Sequence, residues 1–118
     1  MARGQHICLD YKGFHGEGEW MLQIMRDAVA NSESREVHAH VEQFDGNVSP
    51  PGFAAVVLID ESHVSAHCYA DQALLAVDCF TCGGIEPDGI VDDIHMALQR
   101  AIPDIVLVQR SRIDRFVE

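Results

Sequence analysis

The centre of the chain most restricts what it can fold into. Phe53 to Asp60 reads FAAVVLID, an unbroken apolar run of strand length, as a well-buried strand shows. The next segment, Ser62 to Tyr69, alternates His63, Ser65 and His67 against Val64, Ala66 and Cys68. That two-residue period belongs to a strand with one face covered. After a break at Ala70 to Gln72 comes ALLAVDCF, a further strand. Strands this close in sequence are joined by turns too short for a crossover helix, so they pair antiparallel.

The flanking segments supply the rest of a small sandwich. QHICL, Gln5 to Leu9, is β-like, and Gly13 to Gly18 gives loop residues. From Glu17 to Ala30 the period becomes helical, with Met21, Leu22, Met25, Ala28 and Val29 on one side and Glu17 and Glu19 in the first turn. Val37 to Phe44 alternates like a strand, and DGNVSPPG, Asp45 to Gly52, is a loop. A second helix is expected over Gly89 to Ala101, presenting Ile90, Ile94, Ala97, Leu98 and Ala101, with Asp88 as its N-cap and Pro103 as its end. Ile105 to Val108 makes a last strand, and a mixed-charge tail follows. The expected fold is an α+β two-layer sandwich: an antiparallel sheet with two helices on one face, in the order strand, helix, three strands, helix, strand. If Phe53 to Tyr69 is two strands rather than one bent strand, four lie between the helices.

At 118 residues the chain suits a single domain, residues 1–118, which at this size buries only about two-thirds of its unfolded surface. A second copy on the uncovered sheet face would add buried area, so a homodimer is expected. The formal net charge of -11 sets the surface against nucleic acid phosphates and anionic lipid, and neither is expected as a partner. No apolar run approaches the ~20 residues that cross a bilayer, and no basic start precedes an apolar leader. Cys8, Cys68, Cys79 and Cys82 do not form a disulfide framework, which fits a reducing cytoplasm.

Chemistry concentrates between Leu58 and Gly84. Ser62, His63, His67 and Cys82 lie within about 20 residues, on strands and their ends. Taken singly they allow bland readings: Ser62 opening a strand, the two histidines on a wet face, Cys79 and Cys82 as small core residues. A zinc site of His63, His67, Cys79 and Cys82 meets a geometric obstacle. On a strand the two histidines stand about 13 Å apart, too far for one ion with bonds near ~2 Å, and Cys79 and Cys82 face opposite sides. No metal is expected.

Two segments at fixed separation carry more: Glu61-Ser62-His63-Val64-Ser65-Ala66-His67 and Phe80-Thr81-Cys82-Gly83. They resemble the paired motifs of the prokaryotic S-adenosylmethionine decarboxylases, and weaker similarity runs from Gly4-Gln5-His6 to the last strand. The resemblance implies a proenzyme that cleaves itself between Glu61 and Ser62, giving chains 1–61 and 62–118. Ser62 would become a covalent pyruvoyl group, the only cofactor, which forms a Schiff base with an amino-acid-type substrate. His67 matches the histidine that assists processing, since imidazole titrates near neutrality. Cys82 matches the proton donor to the decarboxylated carbon, since a thiol is mostly protonated at neutral pH. The implied setting is polyamine synthesis.

The departures fall on the substrate side. Cys68, Tyr69, Ala70 and Asp71 stand where the family commonly has threonine, tryptophan, proline and glutamate. Val48 aligns with a phenylalanine that, with the histidine at His67, stacks on adenine. A valine forfeits an aromatic contact of order 0.5–1.5 kcal/mol, which Phe44 or Phe53 would have to replace. Ala54 aligns with a serine that assists processing, a role Ser65 would have to take. His67, Val48, Tyr69 and Asp71 are thus the expected substrate-binding positions. Two substrate classes stand open: S-adenosylmethionine, and a basic amino acid (L-ornithine or L-arginine) whose distal cation would meet Asp71, with Glu42, Asp45 and Asp60 behind it. A third reading is an unprocessed regulatory or binding subunit, which intact Ser62, His67 and Cys82 argue against.

Overall fold

The computed structural model of the protein describes residues 3–117. The elements follow in the order β1 (Gly4–Lys12), α1 (Gly18–Ala30), β2 (Glu36–Phe44), β3 (Gly52–Ile59), β4 (Ser62–Tyr69), β5 (Leu74–Cys82), α2 (Asp88–Ala101) and β6 (Val106–Arg115), with a short 3-10 turn at Ala70–Gln72. The strands make one six-stranded sheet in the order β2-β3-β4-β5-β1-β6, and every neighbouring pair is antiparallel. Both helices supply apolar faces to a common core. This is the α+β sandwich that the periodicities imply.

Four strands, not three, lie between the helices. Ile59 is the Cα partner of Ser62, so Asp60 and Glu61 form a two-residue hairpin turn that divides Phe53 to Tyr69. At the opposite end of this hairpin Gly52 pairs with Tyr69. Its φ of 147° and the adjacent carbonyl of Cys68 leave no room for a side chain, so only glycine opens β3 there.

Alternation sorts the strands into two faces. Leu9, Val57, Val64, Ala66, Val77 and Cys79 are wholly buried under the helices, where Met21, Met25 and Val29 of α1 and Ile90, Ile94 and Leu98 of α2 meet them. Each Leu or Ile so buried stabilises the fold by roughly 1.5–3 kcal/mol. Along α2 the expected stripe is shifted: Val91 is buried, Ala97 half-buried and Ala101 exposed. The other sheet face carries His6, Cys8, His63, Ser65, His67, Asp78 and Phe80, and neither helix covers it.

The start of α2 and the end of β6 differ from expectation: β6 runs on to Arg115 because it pairs with β1 as far as Gly4. Asp88 is the first residue of α2 rather than its cap, and the cap position is Pro87. Its carboxylate instead accepts from Arg112 at 2.7 Å and Arg110 at 3.4 Å. Arg110 also donates to Asp92 at 2.7 Å, and Arg112 to Glu86 at 3.0 Å. The mixed-charge tail is therefore the second half of β6, whose arginines reach the acidic first turns of α2. Favourable interaction of those carboxylates with the helix N-terminus adds to the attraction.

Candidate active site

Ser62 opens β4 with its side chain in the buried layer, 8% exposed. Its Oγ accepts a hydrogen bond from the backbone N–H of Cys82 at 3.1 Å. That bond ties the start of β4 to the end of β5. The peptide before Ser62 belongs to the hairpin turn, where Asp60 sits at φ 52°, the left-handed region that side chains enter at a cost. Arg35 holds this turn from the start of β2, its Nη2 and Nε donating to the Asp60 carboxylate at 2.8 and 3.2 Å.

Cys82 ends β5 half-exposed, on the opposite face from buried Thr81. The chain then turns through Gly83 at φ 68°, and nothing lies within 4 Å of where a side chain on Gly83 or Gly84 would stand. Thr81 Oγ1 donates to the carbonyl of Ile85 at 2.6 Å and closes this turn from below. A hydroxyl, a strained backbone link and a thiol-bearing strand end thus share one end of the sheet, beside open space.

His67 is elsewhere. It lies five residues along β4 from Ser62, roughly 16 Å at ~3.3 Å per residue, and the odd separation puts it on the uncovered face. Across the strands it lines up with Ala54 and Glu42. One row further stand Phe44, Gly52 and Tyr69. Tyr69 and Asp71 are exposed, and Asp71 has no ion-pair or hydrogen-bond partner among the described residues. Val48 projects fully into solvent from the loop between β2 and β3. The chain therefore brings Ser62 and Cys82 together at one end of the sheet and groups His67, Tyr69 and Phe44 at the other.

Several alternatives among the expected residues are resolved by their neighbours. Phe53 is a core residue, 3% exposed and edge-on to Phe14 with ring centroids 6.0 Å apart, so it is not available to stack on a ligand. Phe44 is half-buried and borders a shallow groove with Asp45, Asn47 and Val48. Asp60 is engaged by Arg35, Asp45 accepts from Asn47 in its own loop, and Glu42 pairs with His40 at 3.1 Å. Ala54 puts a methyl group where a hydroxyl would neighbour His67, while Ser65 shares the face of His67 two residues away. The four zinc-type residues do not assemble: Cys79 is buried under the helices, where burial pushes its thiol up to about 12, whereas His63 and His67 point the other way.

A polar cluster that the sequence reading did not assemble lies on the uncovered face. His6 Nε2 is 3.2 Å and Cys8 Sγ 3.0 Å from Asp78 Oδ1. These residues are about 70 positions apart in sequence. The only local sign is the alternation of polar His6 and Cys8 with Ile7 and Leu9.

The sequence model of the family described as S-adenosylmethionine decarboxylase matches residues 5–111. The S-adenosylmethionine decarboxylase proenzyme of Symbiobacterium thermophilum is 31% identical over 100 residues, covering 80% of this chain and 73% of its own length. That of Thermodesulfovibrio yellowstonii is 30% identical over 117 residues, covering 95% and 84% respectively. The crystal structure of the adenosylmethionine decarboxylase from Aquifex aeolicus superposes with a TM-score of 0.74, covering 99% of this chain and 93% of that one at 23% identity, a likeness of fold. Fold and sequence together define a small decarboxylase built on one antiparallel sheet. The chain belongs to the S-adenosylmethionine decarboxylase family. No helix among the described residues is long and apolar enough to cross a membrane.

Proposed function

We propose that residues 1–118 form one self-processing decarboxylase domain, which cleaves between Glu61 and Ser62 and works through a pyruvoyl group made from Ser62. The observation that carries this reading is the 3.1 Å hydrogen bond from the Cys82 N–H to Ser62 Oγ, one residue beyond a turn held in a left-handed conformation. In the first step Ser62 Oγ attacks the carbonyl carbon of Glu61. The C–N bond breaks as the C–O bond forms, and the hydroxyl proton passes to the nitrogen, leaving an ester. Loss of the Ser62 Cα proton then expels the carboxylate of Glu61. Water adds to the resulting dehydroalanine, ammonia leaves, and the ketone remains at the head of chain 62–118.

The pyruvoyl ketone, once present, supplies the electron sink for the bond that carbon dioxide leaves behind. Ser62 is bonded to the start of the Cys82–Gly83–Gly84 turn, where both glycines have open space about them. Cys82 Sγ holds the proton that returns to the substrate carbon, and the glycines after it let that thiol approach.

His67 stands too far along β4 to serve its own Ser62, at roughly 16 Å. A two-fold homodimer that joins the uncovered faces, with its axis running across the strands, removes this separation, because it sets the opposite ends of two sheets together. The partner subunit's His67 then serves Ser62, and Ser62 and Cys82 receive a substrate-binding end from the second copy. The exposed Leu58 and Ile113 of that face supply apolar area for such contact.

The substrate is S-adenosylmethionine, supported by the relatives that bear its name, with Phe44 offering the aromatic surface that Val48 lacks. The test is denaturing mass spectrometry of purified protein beside Ser62→Ala. Wild type gives chains 1–61 and 62–118, the second trapped by a hydrazine reagent, and the variant gives one intact chain. A wild-type chain that stays whole overturns the proposal. Carbon dioxide release from S-adenosylmethionine, L-ornithine and L-arginine, compared side by side, reads out the substrate. Release from a basic amino acid alone transfers the assignment to Asp71 and a cationic ligand.

A further inference from the structure

Outside the proposed reaction centre, one group of side chains has the chemistry of a binding site. His6 and Cys8 project from β1 on the uncovered face at the two-residue strand period, and Asp78 projects from β5 directly opposite Cys8. His6 Nε2, Cys8 Sγ and Asp78 Oδ1 all lie within 4.8 Å of one another. A tetrahedral zinc ion with bonds of ~2.0–2.3 Å sets its ligand atoms about 3.5 Å apart, so small side-chain rotations bring these three into a coordination shell. Imidazole, thiolate and carboxylate are the three ligand types zinc accepts. The strands that carry them are paired over nine residues, which fixes the backbone of the set.

The surroundings agree. All three residues are half-buried in the single chain, which shields an ion from water. Burial and the Asp78 carboxylate push the Cys8 thiol up to about 11, so without a cation the pair keeps a proton between sulfur and carboxylate. A divalent ion replaces that proton and neutralises both groups. His63 stands on β4 with its ring edge-on to that of His6, centroids 6.2 Å apart. Its burial lowers its pKa and favours the neutral imidazole that metals take.

We infer that the uncovered sheet face carries a site for a zinc-class divalent ion, held by His6 Nε2, Cys8 Sγ and Asp78 Oδ1. Cys8 and Asp78 are Cα partners across the seam, so the ion acts as a clamp between β1 and β5. The inference stands whether or not the chain processes itself.

The test uses the full chain without a polyhistidine tag. Zinc content is measured after gel filtration, and the metal-free protein is titrated with cobalt(II). Wild type should carry about one zinc per chain and develop, with cobalt, visible ligand-field bands and a near-ultraviolet thiolate charge-transfer band. Cys8→Ser should lose the charge-transfer band, and both Cys8→Ser and Asp78→Asn should weaken cobalt binding at least tenfold. Circular dichroism of each variant checks that the fold is kept. A wild-type chain that binds neither ion, or one whose cobalt spectrum and affinity are unchanged in Cys8→Ser, overturns the site and leaves the trio as a hydrogen-bonded cluster.

Discussion

Replacing Asp60 by glycine tests whether the hairpin turn drives cleavage. Asp60 occupies the left-handed region at φ 52°, and its Cβ costs roughly 1 kcal/mol there relative to glycine, the low end because aspartate tolerates the region better than most residues. The bond broken in the proposed acyl shift, Glu61 to Ser62, closes this two-residue turn, so the shift would release the strain. Glycine removes the strain beforehand, and at ~1.4 kcal/mol per tenfold Asp60→Gly should process up to about fivefold more slowly. Melting temperature should hardly register the change. Measured in the uncleavable Ser62→Ala background, the relief in the folded state is offset by the greater unfolded-state freedom of glycine. Processing is a step between folded states and has no such offset.

Asp60→Gly also removes the Arg35 ion pair, but with the Arg35 side chain 79% exposed that pair is worth little. Asp60→Asn isolates it, since asparagine keeps the left-handed cost without the charge, and should process within twofold of wild type. The assay follows the intact and cleaved chains over time by denaturing mass spectrometry after refolding. If Asp60→Gly cleaves as fast as wild type or faster, the turn stores nothing that the reaction uses.

Three further outcomes are expected. Co-refolding Ser62→Ala with His67→Ala should restore cleavage of the His67→Ala chain, which neither variant shows alone, because a mixed dimer has one site with both groups; no cleavage in the mixture would refute action across subunits, and cleavage of His67→Ala alone would place His67 outside the processing machinery. Cys82→Ala should still yield chains 1–61 and 62–118 but decarboxylate at least tenfold more slowly, and unimpaired turnover would remove the thiol from proton donation. Tyr11→Phe, which deletes the 2.8 Å hydrogen bond between the Tyr11 hydroxyl and His95 Nδ1, should cost about 1 kcal/mol by denaturant titration; an unchanged midpoint would show the bond to be energetically neutral.

The sequence disclosed what depends on near neighbours. FAAVVLID is legible as a strand by its length and unbroken apolar run, and SHVSAHCY because burial on a strand repeats every second residue; β4 begins and ends where its alternation does. The helix faces follow from the spacing of Met21, Met25, Ile94 and Leu98. Ser62 and Cys82 stand out through their paired motifs, and β4 and β5 do set them side by side. Long-range register stayed hidden. Arg110 and Arg112 look like a charged tail until the sheet lays them over the start of α2, and Asp88 looks like a cap until those arginines claim it. His67 is close to Ser62 in sequence, yet an odd count along a strand sends the two to opposite faces. His6 and Asp78 meet only because β1 returns to pair with β5.

The strand order has a consequence for the cleaved protein. Segment 1–61 contributes β1, β2 and β3, and segment 62–118 contributes β4, β5 and β6, but β1 is inserted between β5 and β6. The two pieces are interlocked like fingers of clasped hands, sharing the seams β1–β5, β1–β6 and β3–β4. Cutting the hairpin therefore frees neither piece while the sheet is intact. Once denatured, however, they must find each other again by collision, so recovery of the nicked protein should slow with dilution while the uncut precursor refolds at a rate independent of concentration.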